Sequence, residues 1–353
     1  PQEVTSDMGP TGILPGRHNF NTISSSDPRQ SIEDEYKLCG PAGTVAIVNF
    51  DVWHRATANI SDKNRLMLKF QFLRMSEPKA PSWNSQGEHW LIGDQEGLMS
   101  GSTEIWHWLR GETPPRSARD VNLCATLKLL ASDDEKQRLK AINLLGNMGT
   151  EAVEPLIDEL RNQATSLNEH KLGGSPADPQ GSNPAELSAA HALARIGEAA
   201  VDLLIHEFSH EDWRVRAVVA DILGDMGSKA VSAADHLSRL LADDNFWVRR
   251  NAAEALGYIG VSNEAIVNSL IEALNYEDER VRRNATLTIA KIGPPAHNAV
   301  DTLAGLTEDE SRYVRYNTLL ALRRIESPEA SAILWQELDN TRWCEITTVD
   351  SPY

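Results

Sequence analysis

A valine–arginine pair recurs at Val215-Arg216, Val248-Arg249, Val281-Arg282 and Val314-Arg315, each copy 33 residues after the last. Nine residues after each valine stand Gly224, Gly257, Ala290 and Arg323, and three further on come Gly227, Gly260, Gly293 and Glu326. Fixed spacing over four copies restricts this region to stacked supersecondary units, because a unit this short cannot bury its apolar face alone. An earlier copy fits around Arg138, Gly146 and Gly149, and a partial one around Arg195, Ile196 and Gly197.

Each unit reads as two short helices. Residues 249–256 (RRNAAEAL) keep helical spacing, and Gly257-Tyr-Ile-Gly260 supplies a turn. Residues 265–274 (AIVNSLIEAL) form the second helix, with Ile266, Leu270, Ile271 and Leu274 on one stripe. Glu277-Asp278 then opens the next unit with carboxylates suited to a helix N-terminus. These units resemble HEAT repeats, of the short kind also seen in phycobilisome lyases, over about 120–338. The resemblance implies an α-solenoid that engages a protein partner. The recurrent Arg216, Arg249, Arg282 and Arg315 read as a structural ladder paired with neighbouring carboxylates rather than as a binding row. Residues 163–184, rich in Gly, Ser, Pro, Asn and Asp, read as a loop insertion on the solenoid edge.

Charge separates the two halves. The chain carries a net −17, of which residues 1–119 hold −2 and residues 120–353 hold −15. Such an acidic array excludes a sequence-independent grip on nucleic acid and points to basic or neutral partners. Cys39, Cys124 and Cys344 are too few and too widely spaced for a disulfide framework. No apolar run approaches the roughly 20 residues of a membrane span, and a cytoplasmic location is expected. The chain starts at Pro1 without an initiator methionine or a visible signal peptide, and is expected to be a fragment.

Residues 1–76 read differently. Pro10 to His18 suggests a short strand ended by Pro15-Gly16, residues 43–51 (GTVAIVNFD) are β-branched, and residues 64–75 alternate, with Leu66, Leu68, Phe70 and Phe72 on one face. This β material is too small to close a sandwich on its own. The order Gly-Ile-Leu-Pro15-Gly16-Arg17-His18, then Asp51-Val-Trp-His54, then Asn59-Ile-Ser61-Asp-Lys-Asn-Arg65 resembles the C-terminal half of the phytanoyl-CoA dioxygenase family. That resemblance implies an incomplete double-stranded β-helix, of jelly-roll or cupin type, followed by the α-solenoid. It implies an Fe(II) ligand at His54, a 2-oxoglutarate-binding arginine at Arg65, and a hydroxyl from Ser61 on the same carboxylate. Two histidines and a carboxylate on one face of iron leave positions open for the keto acid and oxygen. A distal carboxylate suits the planar arginine fork.

The family's His-x-Asp motif is missing, since the 14 residues before Pro15 hold no histidine. His210-Glu211-Asp212 fits that pattern but opens a repeat, and His18 reads as structural. The expectation is therefore a fragment of an Fe(II)/2-oxoglutarate hydroxylase, acting on a small-molecule substrate, with an appended interaction module and no activity of its own. The alternative is a non-catalytic HEAT-repeat scaffold. Between the two regions, residues 77–119 form a Trp-rich connector with Trp83, Trp90, Trp106 and Trp108, a short helix at 102–110, and a stiff Pro114-Pro115; residues 339–353 form a tail.

Overall fold

The computed structural model describes residues 2–15, 35–49, 52, 54–70, 72, 76–83, 105–112, 121–167, 183–184 and 187–341. It divides into two compact units, Pro1–Met75 and Ser76–Tyr353.

In the first unit, strands β1 (Thr11–Ile13), β2 (Tyr36–Lys37) and β3 (His54–Ala56) form one antiparallel sheet in the order β2-β1-β3. Ile13 faces Tyr36 on one side and His54 on the other. Met8, Leu14 and Val52 are its buried apolar residues. Arg55 grips Glu35 with both arms of its fork, Nε to Oε1 at 2.5 Å and Nη2 to Oε2 at 2.9 Å. Hydrogen bonds from Arg55 hold the Glu35 carboxyl below its ordinary pKa.

Among the described residues the expected double-stranded β-helix is not found; they hold one three-stranded sheet. Strands of two or three residues cannot make its two facing sheets. Residues 44–49 and 64–70 are coil, and the alternating Leu66, Leu68, Phe70 and Phe72 are 66–92% exposed. Alternation makes a strand only where a neighbouring strand takes up the ladder and another layer covers the apolar face. Neither is present for this segment among the described residues.

In the second unit, the backbone at 105–109 is helical, as read from the sequence. Trp106 lies 5.1 Å from Trp83, and Trp108 Nε1 donates to Glu77 at 2.5 Å. Trp90, Ser102, Thr103 and the Pro114-Pro115 pair lie outside the described residues.

The repeat array begins with α1 (Leu123–Leu129). Among the described residues six helix pairs follow: α2 (Glu135–Met148) with α3 (Val153–Ser166), α4 (Ser188–Ile196) with α5 (Val201–His206), and α6 (Trp213–Asp225) with α7 (Ala234–Leu240). Then come α8 (Phe246–Ile259) with α9 (Glu264–Ala273), α10 (Glu279–Ile292) with α11 (Val300–Gly305), and α12 (Arg312–Ile325) with α13 (Pro328–Thr341). Residues 163–166 continue α3, so the insertion begins later than its composition suggests.

Local chemistry sets the ends of the first helix in each pair. Asp212, Asn245 and Asp278 accept from the backbone N–H two residues on, capping α6, α8 and α10. At the other end Gly149, Gly197, Gly227, Gly260 and Gly293 have φ between 58° and 78°, and Glu326, at φ 58° and ψ 26°, takes the left-handed turn of Gly260. That left-handed turn is open to glycine and strained for glutamate.

Inside the array, Leu145, Leu160, Leu193, Leu223, Leu256 and Leu270 are fully buried, each contributing about 1.5–3 kcal/mol. The first helices stack on one another through small residues, Ala217, Ala220, Ala252, Ala253 and Ala285 among them. At Gly224 a methyl would lie 2.9 Å from Ala255 Cα, so α6 and α8 approach to backbone contact. No helix among the described residues is long and apolar enough to cross a membrane.

Candidate interaction face

The residues expected around iron sit in the small sheet and the coil after it. His54 is exposed on β3, with Nδ1 2.9 Å from the Val52 carbonyl. Arg65 is half-buried and donates to Thr11 Oγ1 at 3.4 Å. Ser61 donates through Oγ to Asn59 Oδ1 at 2.7 Å and through its N–H to the Asp7 carbonyl at 3.2 Å. Among the described residues no group of three or more His, Cys, Asp or Glu is placed to hold a metal ion. The side chains described therefore do not supply a two-histidine, one-carboxylate set; His18 and Asp51 lie outside them. Asp212, of the stray His-x-Asp, caps α6 and pairs with Arg214.

In the array, the polar residues that repeat every 33 positions are absorbed by the stack. Nη1 of Arg216, Arg249 and Arg282 donates to the carbonyl six residues back (His210, Asp243, Tyr276) at 2.6–2.9 Å, and Arg315 does the same to Asp309. Arg138 donates likewise to Ser132 at 2.6 Å, which places the earlier copy in register. Arg216 also forms a two-pronged pair with Asp243, and Arg282 with Asp309, at 2.8–3.1 Å. Arg249 instead lies 5.2 Å from the Tyr276 ring centre. A second ladder was not read from the sequence. Asn251, Asn284 and Asn317 are buried and donate to the carbonyls of Ala217, Arg250 and Arg283 on the preceding helix, at 2.9–3.3 Å. These bonds join adjacent units, although Arg249 Nε and Thr318 Oγ1 are buried without a hydrogen-bond partner.

What does not repeat lies on the solvent-facing side of the first helices, where most of the side chains are half-buried. One 33-residue register there runs Asp221, Glu254, Leu287, Leu320; the next turn runs Asp225, Tyr258, Lys291, Arg324. Between α6 and α8 these side chains line a cleft of about 210 Å³, with Asn183, Asp221, Asp225, Arg250, Glu254 and Tyr258 around it. Asn183, at the far end of the insertion, donates to Asp221 and Asn251 at 3.3 Å and accepts from Asn251 at 2.9 Å.

Burial, reinforced by Asp225 and Glu254, pushes the Asp221 carboxyl up to about 7, against the weaker pull of Arg250 and Asn183. Burial raises the Tyr258 phenol and lowers Lys291, whose ammonium sits 3.4 Å from the Tyr258 ring centre.

Toward the N-termini of α8, α10 and α12 the same face changes character. Guanidinium and aromatic groups alternate. Arg250 lies 5.7 Å from Trp247, and Arg280 lies 4.5 Å from Phe246 and 5.1 Å from Trp247. Arg283 and Arg312 lie 5.8 and 4.8 Å from Tyr313. None of these side chains was singled out by motif. The available signal was the repeat itself, because writing the units in register exposes the positions that vary.

Residues 182–257, 235–297 and 267–346 match a family model of HEAT repeats. A designed armadillo repeat protein in complex with the peptide (KR)4 is 19% identical, covering 58% of this chain and 100% of that one, with a TM-score of 0.37. The complex of CpcE and CpcF of phycocyanin lyase from Nostoc sp. PCC7120 is 20% identical, covering 49% and 99%, with a TM-score of 0.37. Kap95p, from a structure in which its binding switches the loops of RanGDP, is 15% identical, covering 65% of this chain but only 35% of that one, with a TM-score of 0.48. No curated protein matches.

The match to HEAT repeats and the short sheet in Pro1–Met75 overturn the resemblance to phytanoyl-CoA dioxygenases, and with it the reading of the chain as part of an oxidoreductase. A Pro-Gly turn, a histidine and an arginine eleven residues later are landmarks that a turn-rich segment can carry without two facing sheets to converge them. The matched residues, 182–346, make up just under half of the chain, and over them it is similar to HEAT repeats.

Proposed function

We propose that the chain is a non-catalytic scaffold whose HEAT array binds a segment of a protein partner along the solvent-facing side of its first helices. One observation carries this reading. The polar residues that recur at 33-residue spacing are spent on stacking, whereas the solvent-facing side of the same helices carries unlike side chains from unit to unit. Stacking needs identical chemistry in each unit; selecting one partner needs different chemistry along the row.

The experiment is a peptide-display selection with the whole chain as bait. An enriched motif is expected, its binding lost in either Glu254→Arg or Arg283→Glu and kept in Ser61→Ala. Absence of enrichment, or enrichment insensitive to both face variants, refutes the reading.

A further inference from the structure

We propose that the guanidinium–aromatic row on α10 and α12 is a binding site for an acidic, extended segment of a partner protein, with Arg283 and Arg312 as its anchors. This rests on the scaffold reading above and specifies its partner chemistry. Arg283 and Arg312 flank one ring, Tyr313, at 5.8 and 4.8 Å from its centre. Arg312 Nη2 also donates to the Tyr313 hydroxyl at 2.8 Å. Tyr313 and Tyr316 are 49% and 62% exposed, and Arg312 is exposed beside them.

Neither Arg283 nor Arg312 has a carboxylate partner among the described residues. Arg280, Arg250 and Arg282 are held by Asp278, Glu254 and Asp309. Stacking on a ring holds a guanidinium in place while its in-plane N–H groups stay open to a carboxylate, so part of the ordering entropy is already spent.

Charge fixes both the ligand and its placement. The chain as a whole is −17, which alone points to a basic partner. The local surface says otherwise at this end. Asp225 and Glu254 in the cleft between α6 and α8 repel an acidic segment, and Arg283 and Arg312 attract it, so it lies over α10 and α12. Arginine beside tyrosine also suits single-stranded nucleic acid. Two unpaired cations on so acidic a chain favour a short peptide over a continuous phosphate backbone.

The test is fluorescence anisotropy with the whole chain and three labelled probes: a decapeptide of alternating Asp and Glu, one of alternating Lys and Ser, and a ten-nucleotide oligothymidylate. The acidic peptide should bind, and should bind at least tenfold more weakly to Arg283→Glu/Arg312→Glu, with an unchanged circular dichroism spectrum. Tyr313→Ala, which keeps both charges, should weaken it severalfold, and Ser61→Ala should not. Tighter binding of the oligonucleotide, or acidic-peptide binding indifferent to the double reversal, overturns the proposal. If only the basic peptide binds, and Glu254→Arg abolishes it, the scaffold reading survives and this inference falls. If no probe binds and the display selection also enriches nothing, both fall.

Discussion

Asp221 offers a perturbation whose size follows from its surroundings. Its carboxyl sits against Asp225 and Glu254 in a partly dry cleft and holds its proton up to about pH 7, against 3.8 for a solvated aspartate. Between those two values the folded array keeps a proton that the unfolded chain has already released. Stability therefore falls as pH rises, by about 1.4 kcal/mol per unit, and the loss is complete above pH 7 at about 4 kcal/mol. Below pH 3.8 both states are protonated and the effect vanishes. Asp221→Asn removes the ionisation while its amide oxygen still accepts from Asn183. Urea unfolding followed by tryptophan fluorescence reads the region directly, since Trp213 and Trp247 lie on α6 and α8. At pH 4 the two proteins should unfold at nearly the same urea concentration. At pH 8 the variant should be more stable by about 4 kcal/mol, which for an array of this size is on the order of 10 °C in melting temperature. Parallel loss of stability in both proteins from pH 4 to 8 would refute the assignment of a raised pKa to this carboxyl.

Three further substitutions separate the devices that hold the stack. Glu326→Gly should stabilise by up to about 1 kcal/mol in thermal denaturation, because the left-handed turn costs glutamate more than the added freedom of glycine costs the unfolded chain. Gly224→Ala should destabilise by about 1–2 kcal/mol despite the better helix propensity of alanine, since its methyl meets the Ala255 backbone and crowds α6 against α8. Asp243→Ala should cost about 3 kcal/mol in urea denaturation, leaving the Arg216 fork without its carboxylate.

The repeat was legible because stacking writes the same demands every 33 residues. A turn that needs a left-handed residue selected glycine five times among the described units, and a loop that needs its carbonyls bridged selected arginine. The arginine ladder was read in kind, and its carboxylate pairing holds for Arg216 and Arg282, whereas Arg249 meets a tyrosine ring. Asn251, Asn284 and Asn317 were as regular as the arginines, but nothing in an asparagine says that its amide reaches the preceding helix.

The candidate face was hidden for another reason. The acidity of Asp221 is set first by burial and by Asp225 one turn along α6, and then by Glu254, 33 residues away; the burial and the Glu254 contact exist only once α6 and α8 are packed. The N-terminal region failed where the period was strongest. Leu66 to Phe72 alternates cleanly, yet a strand is a property of its neighbours, and no strand among the described residues pairs with it.

The alternation along the arginine ladder makes the joints of the array unlike one another. The joints between α6 and α8 and between α10 and α12 are clasped by charge, Arg216 to Asp243 and Arg282 to Asp309. The joint between α8 and α10 is held by uncharged donors, Asn284 and Thr288, and by Arg249 and Arg280 lying against rings. Pulled from its ends, such a chain of nearest-neighbour contacts yields one joint at a time. Asp243→Asn/Asp309→Asn would uncharge the two outer clasps and leave the middle joint in place. The order of rupture events in a force trace should therefore change between the unaltered chain and this double variant, with α8 and α10 parting last in the variant.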